Sequence, residues 1–314
     1  MATKFAEAFL AIKYREKNEL GETIGGPMYY IKNGLTSKFI VFAYLFATAG
    51  MIAALGIGNG VQVNSVSQVI NNEFGFSTFS IGIVIAILVA LVILGGIKSI
   101  GNITSKLVPV MSLVYILGGL LIIILNANQV GYVFNLIVTS AFTTTAATGG
   151  FAGATVWMAL RYGVARGVFS NEAGLGSSPI AHAAAKTNNP VKQGMISMLE
   201  PLIDTLIVCT ITAFVILMSN QWVGEINGAV LTVASFENLL ANGKYIVIFG
   251  LILFSFSTII GWSYYGEKCV EFLFGSGVII YYRILWIVII PVAASIELNL
   301  CLLYTSDAAD DDTR

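Results

Sequence analysis

The sequence predicts an all-α membrane protein. Hydrophobic residues make up 57% of its 314 residues and charged residues only 11%, a balance typical of integral membrane proteins. A helix needs about 20 mainly apolar residues to cross the hydrocarbon core. Seven apolar runs meet that length approximately, and we predict a span at each of 38–62, 77–97, 107–125, 133–157, 194–218, 244–266 and 278–298.

Basic residues occur in alternate connections between these runs, which supports the count of seven. The positive-inside rule assigns basic connections to the cytoplasm. We therefore expect residues 1–37, 98–106 and 158–193 to be cytoplasmic and residues 219–243 to be extracytoplasmic.

Composition also excludes several classes of function. The three cysteines have no paired or metal-like spacing, and His182 is the only histidine, so a zinc site or a histidine-based triad is not expected. A net charge of −1 indicates no nucleic-acid partner. Since the sequence has neither a G-x-S-x-G nor an H-E-x-x-H motif, we expect no enzyme, no catalytic residues and no cofactor.

The two ends of the chain differ from the rest. The start, MATKFAEAFLAIKYRE, has none of the features of a signal peptide. It resembles the C-terminal end of a helix that begins upstream, so we expect a missing upstream part. The acidic end, residues 301–314, is predicted to be a non-native tail and is left out of functional reasoning. Residues 1–300 then form one partial transmembrane domain.

A polar, glycine-rich stretch interrupts the fourth run. TTTAATGGFAG at 143–153 predicts a helix broken around a cavity, because irregular backbone within lipid survives only beside protein or water. Close helix packing is the alternative, since small residues let backbones approach. The density of threonines beside Gly149 and Gly150 favours the broken helix.

A second polar cluster lies at 56–70, GIGNGVQVNSVSQVI. Helical spacing predicts two polar faces, one with Gly58, Gln62 and Ser65 and the other with Asn64, Gln68 and Asn71. A glutamine inside a membrane helix often forms a hydrogen bond to a neighbouring helix. Gln62, beside a glycine-rich face, is the better candidate for a ligand contact.

A third cluster lies at 254–268, FSFSTIIGWSYYGEK. Ser255, Thr258, Trp262 and Tyr265 share a predicted helix face. Ser257 and Thr258 offer adjacent hydroxyl oxygens, which suit a hard cation. Trp262 suits a cavity wall, whereas Tyr265 has an alternative place in the interfacial aromatic belt.

Two carboxylates fall inside the fifth run, in MLEPLIDTLIV. Glu200 and Asp204 lie one turn apart, and intramembrane carboxylates usually mark pathways or relays. For Asp204 the favoured alternative is a structural hydrogen bond to a broken-helix end, where backbone N–H groups are exposed.

Several long motifs together resemble the sodium:alanine symporter family, also described as alanine or glycine:cation symporters. They are MATKFAEA, GGPMYYIKNGL, GIGNGVQVNS, GGIKSIG, the block from TSAFTTTAATGGFAG through SNEAGLGSSPIAHAAAKT, LIDTLIVCT and STIIGW. The resemblance implies a monomeric, multi-pass symporter of the bacterial or archaeal cytoplasmic membrane. It also implies the inverted-repeat bundle of leucine-transporter-like proteins, here N-terminally truncated so that the first helices, including the first broken helix, are missing.

The resemblance assigns roles to particular residues. Gln62, Thr258 and Trp262 would contact the substrate, a small neutral amino acid, together with the second broken helix at Gly149, Gly150 and Phe151. Ser257 and Thr258 would bind sodium, the coupling ion. The choice among alanine, glycine and D-alanine stays open, as does coupling to protons instead of sodium. A passive channel is a less favoured alternative, since no filter or pore ring is evident.

Overall fold

The computed structural model describes residues 1–19, 21–142, 163–164, 167–223, 226 and 228–296. The chain divides into two units, and each is described by itself. The larger unit comprises Ala2–Met111, Gly176–Ser197 and Phe249–Arg314, and the smaller comprises Met1, Ser112–Leu175 and Met198–Ile248.

The described chain is almost entirely helical up to the fourth predicted run. Its helices there are α1 (Ala2–Lys13), α2 (Pro27–Gly34), α3 (Ile40–Ala53), α4 (Gln62–Phe74), α5 (Thr78–Ile93), α6 (Gly96–Leu125) and α7 (Ala127–Phe142). A π-helical stretch, Ala54–Val61, joins α3 to α4 and is called the first π segment. Two short antiparallel strands, β1 (Glu16–Lys17) and β2 (Thr23–Ile24), depart from the all-α expectation.

Shorter helices precede two long ones in the second half of the described chain. They are α8 (Ser178–Ala183), α9 (Pro190–Ser197), α10 (Leu199–Pro201), α11 (Thr210–Ser219), α12 (Gly228–Leu239), α13 (Lys244–Phe274) and α14 (Ile279–Ser295). A second π-helical stretch, Leu202–Cys209, lies between α10 and α11 and is called the second π segment. Helix α12 falls within 219–243, which was predicted only as a connection.

Five helical stretches within the described residues are long and apolar enough to cross a membrane. They are Ser37–Phe74, Gly96–Leu125, Pro190–Ser219, Lys244–Phe274 and Ser276–Ser295. The shorter apolar helix α5 accounts for the predicted run at 77–97. The run at 133–157 begins in α7 and continues outside the described residues. The chain is thus a multi-pass membrane protein, with a described helix at every predicted run.

The first span is longer than predicted. Helix α4 continues through a polar sequence to Phe74, and Gly75 ends it in the left-handed conformation, with φ 73°. The prediction stopped at residue 62 because the apolar run stops there. The helix nevertheless continues, because Asn64 is fully buried and donates to the carbonyl groups of Ala293 and Ile296 near the end of α14.

The core of the larger unit surrounds α14. Trp286 and Ile290 of this helix are fully buried, as is Ile260 of α13. Gly82 lets α5 approach closely, since a Cβ built on it would lie 2.7 Å from the Ala294 Cβ. This packing fixes α14 beside the elements that carry the predicted site.

Arg15 anchors the first connection of the larger unit. Its guanidinium donates to the carbonyls of Ala183 at 3.0 Å and Ala185 at 2.7 Å, and to that of Thr187 at 2.9 Å. Ala183 is the last residue of α8, and the other two carbonyls follow the end of that helix, where helical partners run out. Arg15 therefore ties the connection after α1 to the C-terminal end of α8.

The smaller unit packs α6, α11 and α12 together. The Tyr115 hydroxyl lies 2.7 Å from the Thr212 hydroxyl, and Gly119 lies against Ile211. Phe236 of α12 is fully buried. A serine pair, Ser219 and Ser235, links α11 to α12 with a hydrogen bond of 2.9 Å.

Candidate functional site

Ser257 and Thr258 lie within α13 and share one hydrogen-bond acceptor. The Ser257 hydroxyl donates to the Phe254 carbonyl at 2.8 Å, and the Thr258 hydroxyl donates to the same oxygen at 2.9 Å. Both side chains are half-buried. Because each hydroxyl hydrogen is used inside the helix, the lone pairs of both oxygens remain available to a cation.

Small residues bring α3 and the first π segment close to α13. Along this crossing the facing pairs are, in order, Gly50 with Cys269, Ala54 with Gly266 and Gly58 with Trp262. A Cβ built on Gly58 would lie only 2.5 Å from the Trp262 Cγ. As the residue number rises from 50 to 58 on one helix, the number of its contact falls from 269 to 262 on the other. The two helices are therefore antiparallel. This is the small-residue packing typical of membrane helices.

Gln62 is the first residue of α4 and lies four residues beyond Gly58. From the contact of Gly58 with Trp262, the antiparallel order runs toward Gln62 on one helix and toward Thr258 on the other. Its side chain is half-buried, and its amide makes no hydrogen bond to another described residue. The structure thus places Trp262 at this helix crossing, and a ligand site shared by Gln62, Trp262 and Thr258 stays a prediction.

Trp262 is packed into this crossing. Its side chain is only 7% exposed, and its ring meets the Tyr265 ring at 5.5 Å and 65°. This contact confirms that the two aromatic residues share a helix face. Ser255, on the same predicted face, is buried, and its hydroxyl has no hydrogen-bond partner among the described residues.

The other polar face of α4 is structural. Gln68 donates to the Asn64 side-chain oxygen at 2.9 Å, which confirms that these two residues share a face. Asn71 instead donates to the Phe76 carbonyl, beyond the end of the helix. The π-helical backbone at Gly58 also changes the spacing from which the face of Gly58, Gln62 and Ser65 was predicted.

Asp204 lies in the second π segment, in the smaller unit. It accepts hydrogen bonds from the hydroxyls of Ser170 at 2.7 Å and Thr205 at 3.2 Å. Asn171 donates to the same threonine at 2.9 Å. The described partners of the Asp204 carboxylate are thus side-chain hydroxyls, where exposed backbone N–H groups were expected. Glu200 is exposed.

The predicted second broken helix lies outside the described residues. This applies to Gly149, Gly150 and Phe151, and to the threonines before them. Their contribution to a substrate site stays a prediction.

Comparison with known proteins decides the family. The sequence profile of the sodium:alanine symporter family matches residues 1–309. The chain belongs to this family. The resemblance found in the sequence motifs is thereby confirmed.

Individual relatives agree with the family match. The sodium/alanine symporter AgcS of Methanococcus maripaludis is 48% identical over 295 residues, 92% of this chain and 64% of the relative. The uncharacterized transporter YflA of Bacillus subtilis is 47% identical over 88% of this chain and 59% of the relative. The probable sodium/glutamine symporter GlnT of Bacillus subtilis is 38% identical over 90% and 58%. The chain therefore spans about three fifths of the length of these relatives.

Two features of this family member escaped the sequence analysis. The first is the series of small residues at 50, 54 and 58, whose four-residue spacing is a readable signal once the partner helix is known. The second is a charge cluster on Lys268, which is 1% exposed. Its ammonium lies 2.7 Å from Glu271, 3.1 Å from Glu22 and 3.6 Å from Glu267.

This charge cluster borders a cavity of about 340 Å³ beside the β1–β2 connection. Glu16, Lys32 and Glu271 are among its lining residues, and Glu16 pairs with Lys32 at 3.1 Å. Burial, and then the charges of Glu271 and Glu16, raise the pKa of Tyr29 well above its ordinary value. Glu16 thus pairs with Lys32 and Glu271 with Lys268, and the bond between Glu22 and Lys268 fastens the connection to α13.

Proposed function

We propose that the protein is a secondary active transporter that couples sodium to the movement of a small neutral amino acid, alanine or glycine. Transport would proceed by alternating access, in which one site opens to each side of the membrane in turn. The proposal places part of that site at the crossing of the first π segment with α13.

The hydroxyl pair of Ser257 and Thr258 carries this proposal. Sodium is a hard cation that replaces its water shell with oxygen ligands, and two adjacent hydroxyl oxygens with committed hydrogens present such ligands. No carboxylate is needed for this, so the site can stay neutral within the membrane. Further ligands would come from residues outside the described part of the chain.

Gln62 and Trp262 are the proposed substrate contacts. The Gln62 amide can donate to a carboxylate and accept from an ammonium group, and no other described residue hydrogen-bonds it. Trp262 is held in place by Gly58 behind it. A rigid aromatic wall beside the amide would limit the size of the substrate side chain.

The family supports the choice of cargo. One relative is described as a sodium/alanine symporter and another as a probable sodium/glutamine symporter. We propose alanine or glycine because the relative with the higher identity of these two carries alanine in its description. The transporter needs no cofactor and no catalytic residue for this function.

The remaining parts of the proposal follow the family. We propose the leucine-transporter-like inverted-repeat fold, with Gly149, Gly150 and Phe151 at a second broken helix whose ends face the substrate. We also propose a monomer in a bacterial or archaeal cytoplasmic membrane. Asp204 is given a structural role because two hydroxyls already bond its carboxylate.

Flux measurements in liposomes test the proposal. The complete protein that carries this chain is purified, reconstituted and given radiolabelled alanine under an inward sodium gradient. We expect alanine to accumulate above its external concentration, and unlabelled glycine to compete better than glutamine. Potassium in place of sodium should abolish accumulation.

The same assay separates the alternatives. Accumulation driven by a proton gradient without sodium would indicate a proton-coupled symporter. Flux that only dissipates an alanine gradient, whatever the cation, would indicate a passive channel. Either result would contradict sodium coupling.

A further inference from the structure

Three buried polar atoms in the larger unit have no hydrogen-bond partner among the described residues. They are Asn59 Oδ1 in the first π segment, and Tyr282 Oη and Trp286 Nε1 in α14. The exposed fractions of these side chains are 0%, 5% and 0%. Buried polar groups in native proteins are nearly always satisfied, by protein or by ordered water.

The three side chains are neighbours. The Asn59 amide nitrogen donates to the Trp286 carbonyl at 3.0 Å. The rings of Tyr282 and Trp286, one helical turn apart, have centroids 5.9 Å apart. The Tyr282 hydroxyl lies against Gly266, at the level of Ala54, where the first π segment begins.

The identity of the unsatisfied atoms is fixed by chemistry. A backbone carbonyl only accepts, so the Asn59 nitrogen must face Trp286 and the Asn59 oxygen is left without a partner. The indole nitrogen of Trp286 only donates. The Tyr282 hydroxyl can do either.

We propose that ordered water occupies the space between the first π segment and α14, hydrogen-bonded to Asn59, Tyr282 and Trp286. Water accepts from the indole N–H and donates to the amide oxygen, and it bonds to the phenol in either role. A metal cation cannot accept from the indole N–H, so it would leave one atom unsatisfied.

This water site would hold the first π segment in place against α14. Water inserted beside a helix is one recognised cause of a departure from the regular helical ladder. The site does not depend on the proposed transport function, since only the buried polar atoms carry it.

Hydroxyl-radical footprinting with brief X-ray exposure tests the proposal on the complete protein. Radicals form from water wherever it lies, so buried aromatic residues beside bound water are oxidised while dry ones are spared. We expect several-fold faster oxidation of Tyr282 and Trp286 than of Tyr115. Tyr115 is the matched control, because it is also buried but its hydroxyl already bonds to Thr212.

A substitution makes the test specific. Asn59→Leu removes the acceptor and fills space, so oxidation of Tyr282 and Trp286 should fall several-fold while that of Tyr115 stays low. Increased oxidation at Tyr115 would reveal unfolding, and Asn59→Ser, which keeps a polar group, then serves as the milder variant. Wild-type rates at Tyr282 and Trp286 as low as at Tyr115 would overturn the proposal. Oxidation of Tyr282 and Trp286 that rises only when sodium is removed would assign the space to a cation and overturn the proposal as well.

Discussion

The two π segments have the same length and opposite surroundings. In the first, Ala54–Val61, four residues are buried: Ala54, Gly58, Asn59 and Gly60. In the second, Leu202–Cys209, no residue is buried. The first is rich in glycine and packs against α13 and α14, whereas the second carries Asp204 and bulky aliphatic side chains.

This contrast shows that a π-helical backbone occurs both in a buried, glycine-rich setting and in one without buried residues. Our proposal places the ligand site at the first π segment because Gly58 admits Trp262 and Gln62 follows directly. The second holds a carboxylate, for which the sequence favoured a structural hydrogen bond, and the hydroxyls of Ser170 and Thr205 bond it. The two π segments share the same type of backbone and differ in the residues that surround them.

The largest expected effect is on packing at the first π segment. Gly58→Val adds a branched side chain where a Cβ alone would lie 2.5 Å from Trp262 Cγ. We expect a stability loss of about 3 kcal/mol or more, since overpacking forces side chains and backbone to shift. Thermal unfolding of the purified protein measures it.

Gly261→Ala is the matched control for this substitution. Gly261 precedes Trp262 on α13, and a Cβ there meets nothing within 4 Å. Its midpoint should match or slightly exceed that of the wild type, because alanine favours helix by about 1 kcal/mol over glycine. Equal midpoints for Gly58→Val and the wild type would mean that the close crossing does not exist.

The next effect concerns substrate binding at Gln62. Gln62→Ala should weaken alanine binding by about 1–3 kcal/mol, because it leaves a buried polar group of the substrate unsatisfied. Sodium binding without substrate should change less. Isothermal titration calorimetry measures both affinities.

Gln68→Ala is the control, since Gln68 lies on the same helix but bonds to Asn64. It should leave alanine affinity nearly unchanged. Equal losses of alanine and sodium affinity in Gln62→Ala would show that Gln62 is a structural residue.

The smallest effect is expected at the second π segment. Asp204→Asn keeps an oxygen that accepts from Ser170, so stability should fall by only about 1 kcal/mol, the typical net value of a hydrogen bond. Sodium affinity should stay within about twofold of the wild type, as the proposed structural role requires. A large drop in sodium affinity would instead make Asp204 part of the cation pathway and erase the contrast between the two segments.

The helical spans were predictable because lipid demands long apolar helices, a requirement that composition reveals directly. Their ends were less predictable. Helix α4 continues past Gln62 because Asn64 finds carbonyl partners on α14, more than 200 residues away in sequence. The length of an apolar run gives no information about a hydrogen-bond partner so far away in the sequence.

The candidate site was predictable in part. Thr258 and Trp262 follow from the periodicity of one helix, which the structure preserves, and Ser257 is next to Thr258 in the sequence. The π-helical backbone, and the meeting of Gly58 with Trp262, depend on contacts between distant segments. The Lys268 cluster likewise joins Glu22 to a helix end far along the chain.

The sodium dependence of a double variant on α13 tests the central claim most directly. Ser257→Ala with Thr258→Ala removes both proposed sodium ligands, and Ser263→Ala, whose hydroxyl bonds only within the helix at 2.7 Å, is the control. Alanine uptake into liposomes is measured against sodium concentration. We predict that the double variant needs about tenfold more sodium for half-maximal uptake, since losing ligands that bind a charge costs about 1.5–3 kcal/mol, and that Ser263→Ala behaves like the wild type. An unchanged sodium dependence in a folded double variant would contradict the placement of the coupling ion on α13.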